Sequence, residues 1–169
     1  MAADRGAAGP GEPEPGAGEP EPGTKASAGF PGASPGEGNF VARNGIGELA
    51  DVMGIEVLEF TVERTVARMP VVGNRQSIGY LHGGAHVVLG ESLGSIAANL
   101  HAGPGRLAVG VDINATHTRS ATGGYVTAVC TPVHLGGSVT VHEIVVRDEE
   151  GRRCCTMRIT NLIKDAPAH

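Results

Sequence analysis

The spacing of apolar residues divides this chain into one helical stretch set among shorter extended ones. Across residues 84–100, Leu89, Leu93, Ile96, Ala97 and Leu100 recur three or four positions apart, the period of one face of an α-helix. Gly103-Pro104-Gly105 ends that stretch, since glycine readily leaves the helical conformation and proline does not continue it. Gly90 and Gly94 lie inside it, and each costs about 1 kcal/mol relative to alanine, so something must pack closely against that backbone. Ahead of the helix, residues 46–53 read as a short amphipathic turn stopped by Gly54, and 55–60 and 62–71 as two strands rich in β-branched residues, with a loop at Gly73-Asn74. Behind it, residues 107–118, 125–135, 139–147 and 154–163 read as four more strands. They are separated by turn signals at Thr122-Gly123-Gly124, Gly136-Gly137 and residues 148–151. Links this short predict antiparallel neighbours. The fold class expected is α+β, with a curved antiparallel β-sheet wrapping one long central helix. Exposed sheet edges predict pairing with a second subunit, and no internal repeat is present.

Composition changes this picture at one end. Residues 1–40 hold ten of the 27 glycines and seven of the 11 prolines. With almost no aliphatic residue larger than alanine, this tail lacks the apolar surface to offset its ordering entropy and is expected to be disordered. The folded domain is expected at 41–165. Six acids against two bases in the tail carry four of the five net negative charges, leaving the domain near neutrality. That balance argues against a nucleic-acid surface, which needs a basic stripe. No apolar run approaches the roughly 20 residues of a membrane span, and the N-terminus lacks the basic-then-apolar layout of a secretory leader, so no membrane contact and a cytoplasmic location are expected. Cys130, Cys154 and Cys155 are odd in number and unsuitably spaced for a zinc knuckle; they read as reduced, structural thiols.

Candidate chemistry gathers at the start of the long helix. Glu91 and Ser95 are four apart and share a face with Val87 and Val88. A carboxylate on so apolar a face is either a partly desolvated nucleophile or base, or a surface glutamate on the helix's wet side. Gly83 and Gly84 leave the first helical N–H groups open for an anion or a developing oxyanion. Gln76, six residues before His82, is a neutral donor able to reach the same place. His82 and His86 have the spacing of a metal-binding pair with Glu91 as third ligand, or serve as hydrogen-bonding groups at the turn. Asn114 and His117 are polar interruptions of an apolar strand, either functional or simply facing water. No nucleophile-elbow serine, phosphate-binding loop or dinucleotide glycine fingerprint is present.

Taken together, residues 76–95, Val111-Asp112-Ile113-Asn114-Ala115-Thr116-His117 and Cys130-Thr131-Pro132-Val133-His134-Leu135-Gly136 resemble a hotdog-fold thioesterase of the phenylacetate-pathway and Arthrobacter-type 4-hydroxybenzoyl-CoA group, across about residues 45–162. The resemblance implies dimers that usually pair into tetramers, with sites between subunits and no cofactor or metal. Glu91 would be the catalytic carboxylate, attacking the thioester carbonyl or activating water. The Gly83 N–H would be the oxyanion donor, Gln76 and His82 would orient the thioester, and Ser95 would position the water or the carboxylate. Acyl-CoA would be bound near Asn114, His117, Arg119 and His134-Leu135-Gly136. Gly137 stands where many relatives carry arginine or lysine. Either Arg119 or Arg158 compensates for it, or the acyl carrier is not CoA. The resemblance thus implies hydrolysis of aromatic or medium-chain acyl-CoA, with carrier-protein proofreading and non-catalytic acyl-CoA binding as alternatives.

Overall fold

The computed structural model describes residues 45–167; the glycine- and proline-rich tail and the first residues of the expected domain lie outside them. A short helix α1 (Glu48–Val52) precedes β1 (Glu56–Phe60) and β2 (Thr65–Pro70). The long helix α2 (Gly83–Ala102) follows, then β3 (Arg106–His117), β4 (Tyr125–Leu135), β5 (Val139–Arg147) and β6 (Arg153–Asp165). All six strands form one antiparallel sheet in the order β1-β2-β4-β5-β6-β3, with α2 packed across it. This is the expected α+β architecture of one helix wrapped by a sheet.

The core lies between α2 and the sheet. Leu89 and Leu93 of α2 are fully buried against Met69, Val126, Ile144, Val146, Met157 and Ile159. The two helix glycines account for how closely these layers meet. A Cβ on Gly90 would lie 2.6 Å from the Met157 side chain, and one on Gly94 would run into Ile159. The loss of helix propensity at these positions is therefore offset by closer packing of the two layers.

Two sequence expectations need correction. The second strand starts at Thr65 rather than at residue 62, because residues 61–64 close a turn in which Thr61 N–H and its hydroxyl both donate to Arg64 O, each at 2.9 Å. The link 118–124 does not join neighbouring strands. β3 lies at the sheet edge beside β6, while β4 sits between β2 and β5. The link instead crosses the end of the fold, where Thr118 N–H donates to Cys154 O and Ala121 O accepts from Leu81 N–H. It thereby ties β6 to the segment that enters α2.

Polar groups are also buried beneath the C-terminal half of α2. Asn99 Nδ2 donates to Ser95 O at 2.8 Å and its Oδ1 accepts from Ala108 N–H at 2.9 Å, which pins the helix to β3. Thr140, His142 and Asn161 are completely buried and have no partner for their side-chain polar atoms among the described residues. Burial first, and the nearby His101 second, push the His142 imidazole from its ordinary value of 6.5 down to about 4.

Gly94→Ala is expected to lower stability by about 1–2 kcal/mol, overpacking against Ile159 outweighing the gain in helix propensity. Gly137→Ala, whose Cβ position is open, should change it by less than about 0.5 kcal/mol; urea unfolding measures both. His142 predicts an acid dependence. In the window from 6.5 down to about 4 the unfolded chain takes up a proton that the folded one refuses, so stability falls as pH drops through it. His142→Phe should flatten that fall in unfolding curves collected across the window.

Candidate active site

The segment before α2 is held at both ends, and this fixes where the helix begins. Asn74 Nδ2 donates to Met53 O at 2.8 Å and to Pro70 O at 2.9 Å, while His82 N–H donates to Asn74 O. Between these anchors Gln76 sits in a tight turn, its N–H bonded to Tyr80 O and its carbonyl accepting from Gly79 N–H. His82 is extended (φ −66°, ψ 134°) and caps α2, with Nδ1 accepting from Gly84 N–H at 2.8 Å. That bond occupies the Gly84 N–H. The Gly83 N–H makes no hydrogen bond among the described residues, so it is the open donor at the positive end of the helix dipole. His117 Nε2 lies 3.2 Å from the place a Gly83 Cβ would take, and only glycine lets the imidazole settle there unhindered. A cavity of about 420 Å³ opens at this point, bordered by Gln76, Tyr80, Gly83, His117 and Arg119.

Glu91 belongs to a different cavity, of about 440 Å³, formed where α1 meets α2 and β3. Its walls are mostly apolar, from Ile46, Leu49, Ala50, Val87, Val88 and Ile113, with Glu91 and Ser92 on one side. Ser95 Oγ donates to Glu91 Oε1 at 3.3 Å, which orients the carboxylate. Gly110 of β3 makes room for it, since a Cβ there would run into Glu91 Oε1. A bulge follows at once, with Gly110 facing Asn161 and Asp112 facing Thr160. A glycine inside an otherwise β-branched strand is the sequence signal for such an approach, and Gly110 was not singled out from the sequence.

Within one chain the sequence-derived candidates fall into separate groups. Gly83 and Glu91 are eight residues apart on one helix, hence about 12 Å along its axis, and they open into different cavities. Gln76, His117 and Arg119 join Gly83; His82 shapes that end as its cap; Ser95 joins Glu91. His134, Leu135 and Gly136 lie at the opposite end of α2, where Gly136 O contacts His101 Nε2 at 3.1 Å and Arg106 donates to Gly137 O at 2.7 Å. Asn114 is exposed between the inward-packed Ile113 and Ala115, opposite Arg158 of β6, and borders neither cavity.

The metal-ligand grouping of His82, His86 and Glu91 does not assemble, because His82 is engaged as a cap and Glu91 faces the other cavity. His86 turns instead toward β3, its ring stacked on His117 with centroids 5.3 Å apart. It is 3% exposed, and burial, reinforced by His117, pushes its imidazole down to about 4. The three cysteines are buried thiols, and desolvation raises Cys130 to about 12 and Cys155 to about 11, which keeps them protonated at neutral pH.

A long helix seated in a six-stranded antiparallel sheet is the hotdog fold. The sequence profile of the Thioesterase superfamily matches residues 78–155. The chain is 42% identical over 119 residues to the proofreading thioesterase EntH of Cronobacter turicensis, covering 70% of this chain and 87% of that protein. It is 43% identical to the 1,4-dihydroxy-2-naphthoyl-CoA hydrolase of Escherichia coli, covering 76% and 88% respectively. The crystal structure of a thioesterase from Haemophilus influenzae matches with a TM-score of 0.69 at 39% identity, over 72% of this chain and 86% of that one. The chain therefore belongs to the thioesterase superfamily, and it is an enzyme of the thioester hydrolase class.

His82→Ala removes the acceptor that caps α2 and is expected to cost about 1 kcal/mol, whereas His82→Asn, a good cap residue, should retain most of the stability. Chemical denaturation of the two variants beside the parent tests this.

Proposed function

We propose that this protein hydrolyses acyl-CoA thioesters carrying aromatic or medium-chain acyl groups, at sites each built from two subunits. The observation that carries this reading is the separation of Gly83 from Glu91. A thioester needs an oxyanion donor and a nucleophile or base at one carbonyl, and groups about 12 Å apart along one helix cannot both reach it. A two-fold partner supplies what each half lacks. The free edge of β3, which exposes Val109 (42%) and Val111 (54%) beside the Glu91 cavity, supports sheet pairing between two copies as that contact, with pairs of dimers as the larger assembly.

In this reading the Gly83 N–H of one subunit stabilises the carbonyl oxygen as it gains charge, with Gln76 as second donor. The Glu91 carboxylate of the other subunit attacks the carbonyl carbon, or removes a proton from water that does so. The tetrahedral intermediate collapses and the C–S bond breaks, the leaving sulfur taking its proton from Glu91 where Glu91 has deprotonated water, or from solvent where Glu91 has itself attacked. If Glu91 itself has attacked, water then cleaves the anhydride and regenerates the carboxylate. Ser95 holds Glu91 in place, and the apolar walls contributed by α1, α2 and β3 suit an aromatic ring or a medium-length chain. His117 and Arg119, at the mouth of the Gly83 cavity, suit the carrier side, with Asn114 and the His134-Leu135-Gly136 turn reached from farther out. No metal or cofactor takes part.

A second reading, proofreading of acyl groups on a carrier protein, is favoured by the similarity to EntH. The Ser95-oriented Glu91 speaks against a non-catalytic acyl-CoA-binding role.

Glu91→Gln is expected to lower kcat at least about a hundredfold on acyl-CoA thioesters, read by trapping the released thiol; wild-type turnover would overturn the mechanism. Gln76→Ala and Glu91→Gln proteins, each weakened, should recover about a quarter of parental activity when unfolded and refolded together, because half the dimers are then mixed and hold one intact site of two. No recovery would place both halves of the site in one chain. Relative kcat/KM on CoA and carrier-protein thioesters of the same acyl group separates the two substrate readings.

A further inference from the structure

Three ligand-type side chains converge at the N-terminal end of α2 from three different elements. His117 of β3 and Cys155 of β6 stand directly opposite each other in antiparallel register, so their side chains project from the same face of the sheet. That face is covered by the first turns of α2, which contribute His86. One ligand atom from each of the three lies within 4.8 Å of the others. His86 is 97% buried, judged from its 3% exposure, yet neither of its ring nitrogens has a hydrogen-bond partner among the described residues. An orphaned buried polar atom destabilises the fold, so a ligand that satisfies it is favoured. The Cys155 sulfur makes a long 3.8 Å contact with Thr156 O and interacts with the backbone of Thr116, and His117 is exposed at the edge of the 420 Å³ cavity.

We propose that His86, His117 and Cys155 form a binding site for a borderline-soft divalent ion of the Zn²⁺ type, and that its occupation inhibits the enzyme by closing the Gly83 cavity. Two imidazole nitrogens and a thiolate are a donor set such ions select, and the open side of the cavity leaves a fourth position for water. Zinc bonds of about 2.0–2.3 Å require the three side chains to draw together on binding. Binding releases the Cys155 proton to solvent, and the sulfur and two nitrogens each donate an electron pair to the ion. The bound ion and its water occupy the space beside the Gly83 N–H. The inhibitory effect rests on the thioesterase mechanism proposed above, whereas the binding does not.

The test uses the full chain, stripped with a chelator and dialysed. Calorimetric titration with Zn²⁺ should give one site per chain, and Co²⁺ should give the absorption of a tetrahedral ion with a thiolate charge-transfer band. Zn²⁺ should suppress turnover in parallel with binding. Cys155→Ala should abolish the charge-transfer band and weaken Zn²⁺ binding at least about tenfold, with metal-free turnover retained. If that variant does not fold, His86→Gln provides the same binding readout. Absence of saturable Zn²⁺ binding by the parent, or binding unchanged in both variants, overturns the site. Binding with the cobalt signature but undiminished turnover overturns the inhibition alone. Loss of the Glu91 dependence with zinc binding intact overturns the mechanism and leaves the site standing.

Discussion

The depth at which α2 lies in the sheet sets nearly everything else. At Gly90 and Gly94 the helix presents bare backbone to Met157 and Ile159, so the layers approach as closely as main-chain atoms allow. Leu89 and Leu93 are then buried without remainder. This approach brings the start of the helix within reach of His117 and the next turns within reach of Gly110. Asn99 reinforces it from the far end by bonding both the helix and β3. A side chain at either glycine would lift the helix, and both cavities would lose a wall.

Such a rigid placement also keeps the helix's two reactive features apart. The unpartnered N–H at Gly83 and the carboxylate of Glu91 have fixed positions on one rod, and no local rearrangement brings them together while the rod stays helical. Shared sites follow from this more directly than from any property of the interface. The same rigidity buries His86 beside His117 and Cys155, without a hydrogen-bond partner among the described residues. A polar side chain pressed into such a position is stable only if the remaining packing exceeds its cost.

Much of this was legible in the sequence because it repeats with a period. The long helix, the packing implied by Gly90 and Gly94, and the strands at 125–135 and 139–147 follow from spacing and turn residues. The crossing at 118–124 was not legible. Its glycines signal a turn, but nothing local tells a hairpin from a link held by Cys154 and Leu81, which are distant in sequence. In the site, Gly83, Glu91 and Ser95 stood out because a polar group or a glycine broke an apolar helix. The roles of His86, Cys155 and Gly110 depend on which strand residues face α2, and that is a tertiary matter.

The bulge in β3 decides that facing. Up to Gly110 the even-numbered residues stand opposite Ile163 and Asn161, whose side chains turn toward the helix. After Val111 is skipped, the odd-numbered Ile113, Ala115 and His117 stand opposite Ile159, Met157 and Cys155. One unpaired residue thus reverses the parity of the strand. A regular strand that kept Val111 in the ladder, opposite Thr160, would present Asn114 and Thr116 to the helix and turn His117 to the outside, although every side chain of the site remained in the sequence.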